Sequence, residues 1–92
     1  MIKSWKHKGL EELAAGKKTR HIQPAFHARI MRRLDALKAA TKPEEMNFPG
    51  FNFHPLKGFN PTRFTVHVNG PWCITFEFDN GDAANVDFEQ YH

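Results

Sequence analysis

The fold is decided by the alternation of apolar and polar residues in positions 64–88, FTVHVNGPWCITFEFDNGDAANVDF. Apolar side chains recur at every second position in three runs, which is the periodicity of strands with one buried face. The runs are separated by Asn69-Gly70-Pro71 and by Asn80-Gly81, and an Asn-Gly pair favours a hairpin because both residues accept positive φ. The stretch therefore predicts an antiparallel meander with strands at Phe64 to Val68, Trp72 to Phe78 and about Ala83 to Phe88.

The same alternation divides the side chains of this meander between two faces. The apolar face carries Phe64, Val66, Val68, Trp72, Ile74, Phe76, Phe78, Val86 and Phe88. The opposite face carries Thr65, His67, Cys73, Thr75, Glu77, Asn85, Asp87 and Glu89. A sheet buries its apolar face against another layer, so we expect helices on that side and an available second face.

Two helices are predicted in the first half of the chain. Lys8 to Ala15 places Leu10, Leu13 and Ala14 at helical spacing, and Gly16 suits the end of a helix. Pro24 to about Thr41 places Phe26, Ile30, Leu34 and Leu37 on one side, and Thr41-Lys42-Pro43 stops the helix.

Three short segments complete the prediction. Ile2 to Trp5 is a weak edge strand or a staple for the first helix, Phe51 to Phe53 begins the sheet, and His54 to Gly58 is a loop. The predicted class is α+β, with two N-terminal helices packed on one face of a small antiparallel sheet. A chain of 92 residues suits one domain spanning 1–92.

Composition limits the classes of function. The chain has no long apolar run and no secretory leader pattern, so we expect a cytoplasmic protein without membrane contact. A single cysteine, Cys73, excludes an internal disulfide and a multi-cysteine zinc site. The six histidines lack metal-binding spacing, so neither a metal nor another cofactor is expected.

Charge is divided unevenly along the chain. Residues 1–50 carry eleven Lys or Arg against five Asp or Glu, whereas residues 51–92 carry two against five. The basic half is either an ordinary solvated helical face or a surface for a phosphate backbone. The candidate RNA-binding residues are Lys17, Lys18, Arg20, Arg29, Arg32 and Arg33.

The candidate chemistry lies at the two borders of the second sheet face. His54 with Lys57 combines a proton-transfer group with a fixed cation, as phosphodiester cleavage requires. In the absence of a metal, the 2′-hydroxyl of RNA is the natural nucleophile. Tyr91 is suited to stack on a base and His92 to act as a general acid. The alternatives are a packing histidine at His54 and a C-terminal end without a role.

A cysteine nucleophile is the weaker chemical reading of the second face. Cys73 would need a basic neighbour to lower its pKa, and His67 could supply one across the hairpin. The chain has no glycine-rich phosphate loop and no arrangement of Ser, His and Asp typical of nucleophilic catalysis.

At these residues the chain resembles the HigB-like toxins of bacterial type II toxin–antitoxin systems, within the RelE superfamily of ribosome-dependent mRNA endonucleases. The similarity spans essentially the whole chain. Its motifs are specific when they occur together, whereas any one of them alone is weak. The matching motifs are Met1 to Leu10, His54-Pro55-Leu56-Lys57-Gly58, Val68-Asn69-Gly70, Trp72, Ile74-Thr75-Phe76, Gly81-Asp82-Ala83 and Tyr91-His92.

The resemblance implies a toxin that enters the ribosome and cuts translated mRNA. It also implies a helix-turn-helix antitoxin that neutralises the toxin, and contact with operator DNA only through that antitoxin. His54, Lys57, Tyr91 and His92 keep the family's catalytic or substrate-contacting residue types. The basic first half then becomes a surface for ribosomal RNA.

Three positions depart from the family pattern. His67 and Cys73 stand where the family usually has arginine, and Gln90 stands where it has an acidic residue. Arg63, at the mouth of the same hairpin, and protonated His67 are the candidates to replace the lost positive charge at the substrate phosphate. Two hypotheses remain: an active mRNA endonuclease, or a weak or inactive relative that acts as an antitoxin-binding corepressor. A generic RNA-binding domain ranks lower, because the sheet lacks an exposed aromatic pair.

Overall fold

The structure, a computed structural model, describes residues 1–91. Its elements are α1 (Lys8–Ala14), α2 (Pro24–Ala39), a 3-10 helix (Pro43–Met46), β1 (His54–Leu56), β2 (Arg63–Asn69), β3 (Trp72–Asp79) and β4 (Asp82–Gln90). The four strands form one antiparallel sheet in the order β1-β2-β3-β4. The predicted α+β arrangement, with the helices preceding the strands, is confirmed.

The helices pack on the apolar face of the sheet, as the alternation requires. Leu10 of α1 and Ile30, Leu34 and Leu37 of α2 are fully buried in one cluster with Phe76 of β3. Val66, Val68, Ile74 and Val86 from the strands belong to the same cluster. This burial of apolar area is the main stabilising term for a fold of this size.

The start of the chain extends the sheet by two isolated bridges. Ile2 and Trp5 pair in parallel with Ala83 and Val86 of β4, and Lys6 N donates to Val86 O at 2.8 Å. Residues 2–5 therefore border the sheet and lead directly into α1.

No helix within residues 1–91 is long and apolar enough to cross a membrane.

The predicted first strand is wrong in position. Phe51 to Phe53 is not a strand, and His54–Leu56, predicted as a loop, is β1, paired with β2 through His54 and Thr65. Phe51 is buried and Asn52 has a φ of 48°, a left-handed conformation that interrupts extended backbone. The sheet therefore begins only after this kink.

The second face of the sheet is less open than the alternation suggested. Thr65 and Thr75 lie on this face, yet they are 1% and 0% exposed. The side chain of Arg63 contributes to the cover over Thr75, donating to Thr75 Oγ1 at 3.0 Å and to Asn85 O at 2.9 Å. The prediction of an available second face therefore holds only away from Arg63.

Candidate active site

A cleft of about 570 Å³ lies where β1, β2 and the β2–β3 turn meet. His54, His67 and Tyr91 line it, so the structure brings these three predicted residues together. Lys57 is exposed in the turn after β1 and is absent from the cleft's described lining. His92 lies outside the described residues.

The ring of His54 is oriented by the backbone two residues earlier. Its Nδ1 lies 2.8 Å from Asn52 O. A carbonyl oxygen only accepts, so Nδ1 carries the proton in the neutral ring. Nε2 is then left with a lone pair, which makes it the proton-accepting atom of His54.

His67 bonds to the backbone through Nε2, whereas His54 does so through Nδ1. Its Nε2 lies 3.0 Å from Gly70 O, and the carbonyl requires that Nε2 donate. The backbone of His67 is also held, because its N donates to Phe51 O at 2.6 Å. Cys73 faces His67 in the strand register, is 8% exposed and lies 3.8 Å from Pro71 O through Sγ.

Tyr91 is attached to the turn at the other side of the cleft. Its backbone N donates to Pro71 O at 2.7 Å, and the residue is half-buried. Tyr91 is thereby held at the β2–β3 turn. A phenol at this place is able to lie against a group bound in the cleft.

Arg33 requires a correction, because it does not belong to an exposed basic surface. It is 7% exposed; its Nε donates to His67 O at 2.6 Å, and its guanidinium lies 4.4 Å from the centre of the Phe51 ring. Burial lowers the pKa of Arg33, and the neighbouring Arg32 and Arg29 lower it further. Its contacts join α2 to the segment before β1 and to β2.

The predicted role of Arg63 at the substrate phosphate also meets a structural obstacle. The residue is 7% exposed, and its guanidinium pairs with Glu77 Oε2 at 2.9 Å besides donating to Thr75 and Asn85. Its charge is neutralised inside the second face. Arg63 is therefore not available to compensate for the missing arginines.

The other predicted RNA-binding residues remain at the surface. Lys17 and Lys18 follow α1, Arg20 lies in the connection to α2, and Arg29 and Arg32 lie on α2. All five are exposed. Their role in RNA binding stays a prediction, and Arg33 alone is withdrawn from the set because it is buried.

Sequence reasoning missed several residues that shape the cleft. Asn52, Leu56, Thr65, Gly70 and Pro71 also line it. The alternation had placed Thr65 on the correct face but attached no role to it. Its Oγ1 is buried and has no hydrogen-bond partner within residues 1–91. The only sequence feature that could have pointed to Asn52 is its residue type, because asparagine tolerates positive φ.

The composition of the cleft lining suits an uncharged group. None of the described lining residues is Lys, Arg, Asp or Glu. Its volume lies in the range of small-molecule sites, and its imidazole and phenol groups suit a base or sugar. Lys57, next in the chain to the lining residue Leu56, is the nearest cation in sequence.

Comparison with known proteins gives two agreeing matches. A family model for the RelE-like toxin of the type II toxin–antitoxin system HigB matches residues 3–92. The protein named Endoribonuclease HigB from Proteus vulgaris is 41% identical over 92 residues, which is 100% of both chains. The chain therefore belongs to the HigB-like family of RelE-like toxins of type II toxin–antitoxin systems.

Proposed function

We propose that this toxin is a metal-independent endoribonuclease that cleaves mRNA on the ribosome and so inhibits translation. The observation that carries the proposal is the hydrogen bond from His54 Nδ1 to Asn52 O at 2.8 Å, which leaves Nε2 as a proton acceptor in a residue that lines the cleft. The relative of 41% identity is named as an endoribonuclease, which supports the same activity here.

The proposed reaction is attack of the RNA 2′-oxygen on the adjacent phosphorus. His54 Nε2 takes the proton of the 2′-hydroxyl while the bond from the 2′-oxygen to phosphorus forms. The bond from phosphorus to the 5′-oxygen breaks, and His92 protonates that leaving oxygen. The products are a 2′,3′-cyclic phosphate and a 5′-hydroxyl. DNA lacks the nucleophile and is not a substrate.

Lys57 and Tyr91 have supporting roles in this proposal. Lys57 is exposed in the turn after β1. Its proposed role is to stabilise negative charge on the phosphorane through its ammonium group. Tyr91 lines the cleft and stacks on or positions a base. Arg63 takes no part, because its charge is engaged by Glu77. His67 lines the cleft and is kept as a weaker candidate for contact with the substrate phosphate.

The family and the distribution of charge support the proposed partners. A toxin of a type II system has an antitoxin partner. We propose that this antitoxin is a helix-turn-helix protein and mediates any contact with operator DNA. The exposed cations Lys17, Lys18, Arg20, Arg29 and Arg32 form the proposed surface for ribosomal RNA in the cytoplasm.

The test is induction of the toxin without its antitoxin, followed by mapping of new mRNA 5′ ends. Wild type should arrest growth and create new ends, whereas His54→Ala and His92→Ala should lower cleavage by about 10²-fold or more. His21→Ala is the matched control, since His21 is exposed and its Nε2 is 4.0 Å from Glu12 Oε1, away from the cleft lining. Absence of new ends with wild type would leave an antitoxin-binding corepressor instead of a nuclease.

The ribosome surface is tested by charge reversal. A variant carrying Lys17→Glu, Lys18→Glu and Arg20→Glu should bind ribosomes more weakly, with a smaller dependence of affinity on salt, because fewer counterions are released. Lys6→Glu, at an exposed position outside the set, is the control. Equal affinity and equal salt dependence for the triple variant and the control would remove this surface from the proposal.

A further inference from the structure

We infer that Asn52 is a positioning residue for His54, acting through its left-handed backbone and not through its side chain. Its carbonyl selects the ring tautomer in which Nδ1 carries the proton and Nε2 accepts one. The inference rests on the proposed function, because it concerns how His54 is prepared to act as the base. Asn52 lies outside the motif His54 to Gly58, and the sequence pattern gave it no role.

The conformation of Asn52 is unusual and has a direct consequence. Its φ is 48°, in the left-handed region that strains most side chains and that Asn and Gly tolerate best. The carbonyl of this residue accepts from His54 Nδ1 at 2.8 Å. Because φ and ψ decide where a carbonyl points, a residue that prefers extended backbone would aim it elsewhere.

The neighbouring segment is held firmly enough to sustain this conformation. Phe51 is 6% exposed, and its carbonyl accepts from His67 N at 2.6 Å. Arg33 of α2 covers the Phe51 ring, donates to His67 O at 2.6 Å and reaches Gly50 O at 3.5 Å. The kink at Asn52 thus follows a fixed point shared by α2 and β2.

On the other side of Asn52, the pairing of β1 fixes His54. His54 is the register partner of Thr65, so its backbone is set by the sheet while its ring is set by the Asn52 carbonyl. Strained backbone conformations persist where the surroundings hold them, and they concentrate at functional sites. The two anchors, at Phe51 and at His54, leave the carbonyl of Asn52 little freedom.

Loss of this hydrogen bond would impair the base in two ways. A neutral imidazole without a fixed partner distributes its proton over both nitrogens, so a fraction of molecules would have Nε2 protonated and unable to accept. The ring would also rotate more freely, and a small misplacement of a reacting group costs up to about 10²-fold in rate. The affinity for RNA would change little, because the ring remains present.

The experiment compares Asn52→Val with Asn52→Gly. Ring ¹⁵N chemical shifts of His54, measured without RNA, report the tautomer, and steady-state cleavage of ribosome-bound mRNA gives kcat and KM. Asn52→Val, a β-branched residue, should mix the tautomers and lower kcat by about 10-fold or more with KM within about threefold of wild type. Asn52→Gly accepts positive φ and should keep the Nδ1–H tautomer and a kcat within about threefold of wild type.

Asn80→Val is the control for backbone strain without a role in the cleft. Asn80 has a φ of 52° and is exposed in the turn between β3 and β4. The same substitution there should lower stability to a similar degree and leave the His54 tautomer and kcat unchanged. If Asn52→Val does not fold, Asn52→Ala imposes a milder strain and gives the same two readouts.

Three results would overturn the inference. One is an unchanged His54 tautomer in folded Asn52→Val or Asn52→Ala. A second is an equal loss of kcat in Asn52→Gly and Asn52→Val, which would assign the effect to the side chain. A third is an equal effect of Asn80→Val. If wild type does not cleave mRNA, the proposed function fails, whereas the tautomer measurement still decides whether Asn52 positions His54.

Discussion

Removal of Arg63 should destabilise this small domain strongly, because its charge is paired inside the protein. Its side chain is 8% exposed and that of Glu77 is 16% exposed, and the two are 2.9 Å apart. Arg63→Met keeps the length of the apolar part of the side chain but removes the cation beside Glu77. Glu77 then keeps the hydrogen bond that it accepts from Asn85 Nδ2 at 2.8 Å. Removing one member of a buried pair costs about 3–5 kcal/mol, since the remaining charge stays desolvated.

Glu77 is not fully buried, so the lower end of that range applies, about 3 kcal/mol. For a domain of this length each kcal/mol shifts Tm by roughly 4–8 °C, and a fall of at least about 12 °C is expected. The assay is urea and thermal denaturation followed by far-UV circular dichroism. The double variant Arg63→Met with Glu77→Gln should recover at least about 1 kcal/mol of the loss, because it removes the orphaned charge.

A loss below about 1 kcal/mol for Arg63→Met would refute this reasoning. That value is typical of solvent-exposed ion pairs, and it would mean that water reaches the guanidinium. It would also return Arg63 to the candidates for contact with the substrate phosphate. Failure of the double variant to recover any stability would instead indicate that the hydrogen bonds to Thr75 and Asn85 dominate over the charge pair.

Three further predictions concern other described side chains. His7 caps α1 by accepting a hydrogen bond from Gly9 N at 3.1 Å, and burial lowers the pKa of its ring. The stabilisation by neutral His7 is therefore complete above about pH 6.5 and is lost as the pH falls through the lowered pKa. In urea titrations, the free energy of unfolding should fall less between pH 7 and pH 5 for His7→Asn than for wild type. Thr65→Val should be neutral or stabilising in thermal denaturation, because the buried Thr65 Oγ1 has no hydrogen-bond partner within residues 1–91. Thr75→Val should lower the free energy of unfolding by about 1–3 kcal/mol, because Thr75 Oγ1 bonds with Arg63 and Glu89. Equal losses of stability in the two variants would contradict this difference. Cys73→Arg should raise mRNA cleavage by about 10-fold or more by adding a fixed cation to the cleft wall, and Cys73→Met, as the uncharged control, should not.

The parts of the fold that were predicted correctly depend on local patterns. The faces of β2 and β3 follow from alternation, and α1 and α2 follow from helical spacing and from Gly16 and Pro43 as stops. Each of these signals is contained within a few residues of chain. The placement of β1 failed because Phe53 continues an apolar pattern, whereas the strand begins after a kink at Asn52 that depends on more distant contacts.

The candidate site was predicted in residue type more than in geometry. His54 and Tyr91 were chosen from the sequence, and the structure brings them to one cleft with His67. The roles proposed for Lys57 and His92 stay predictions. Arg33 was misplaced because a helical pattern does not reveal that Phe51 and His67, distant in sequence, surround its guanidinium.

By itself, the sequence determined the α+β class, the two hairpin turns and the division of side chains between the sheet faces. These properties depend on the intrinsic periodicity of strands and helices. Only the tertiary structure decided which polar groups on the second face are engaged and which are left for chemistry. That distinction depends on contacts between distant segments: Glu77 neutralises Arg63, and Asn52 sets the proton of His54.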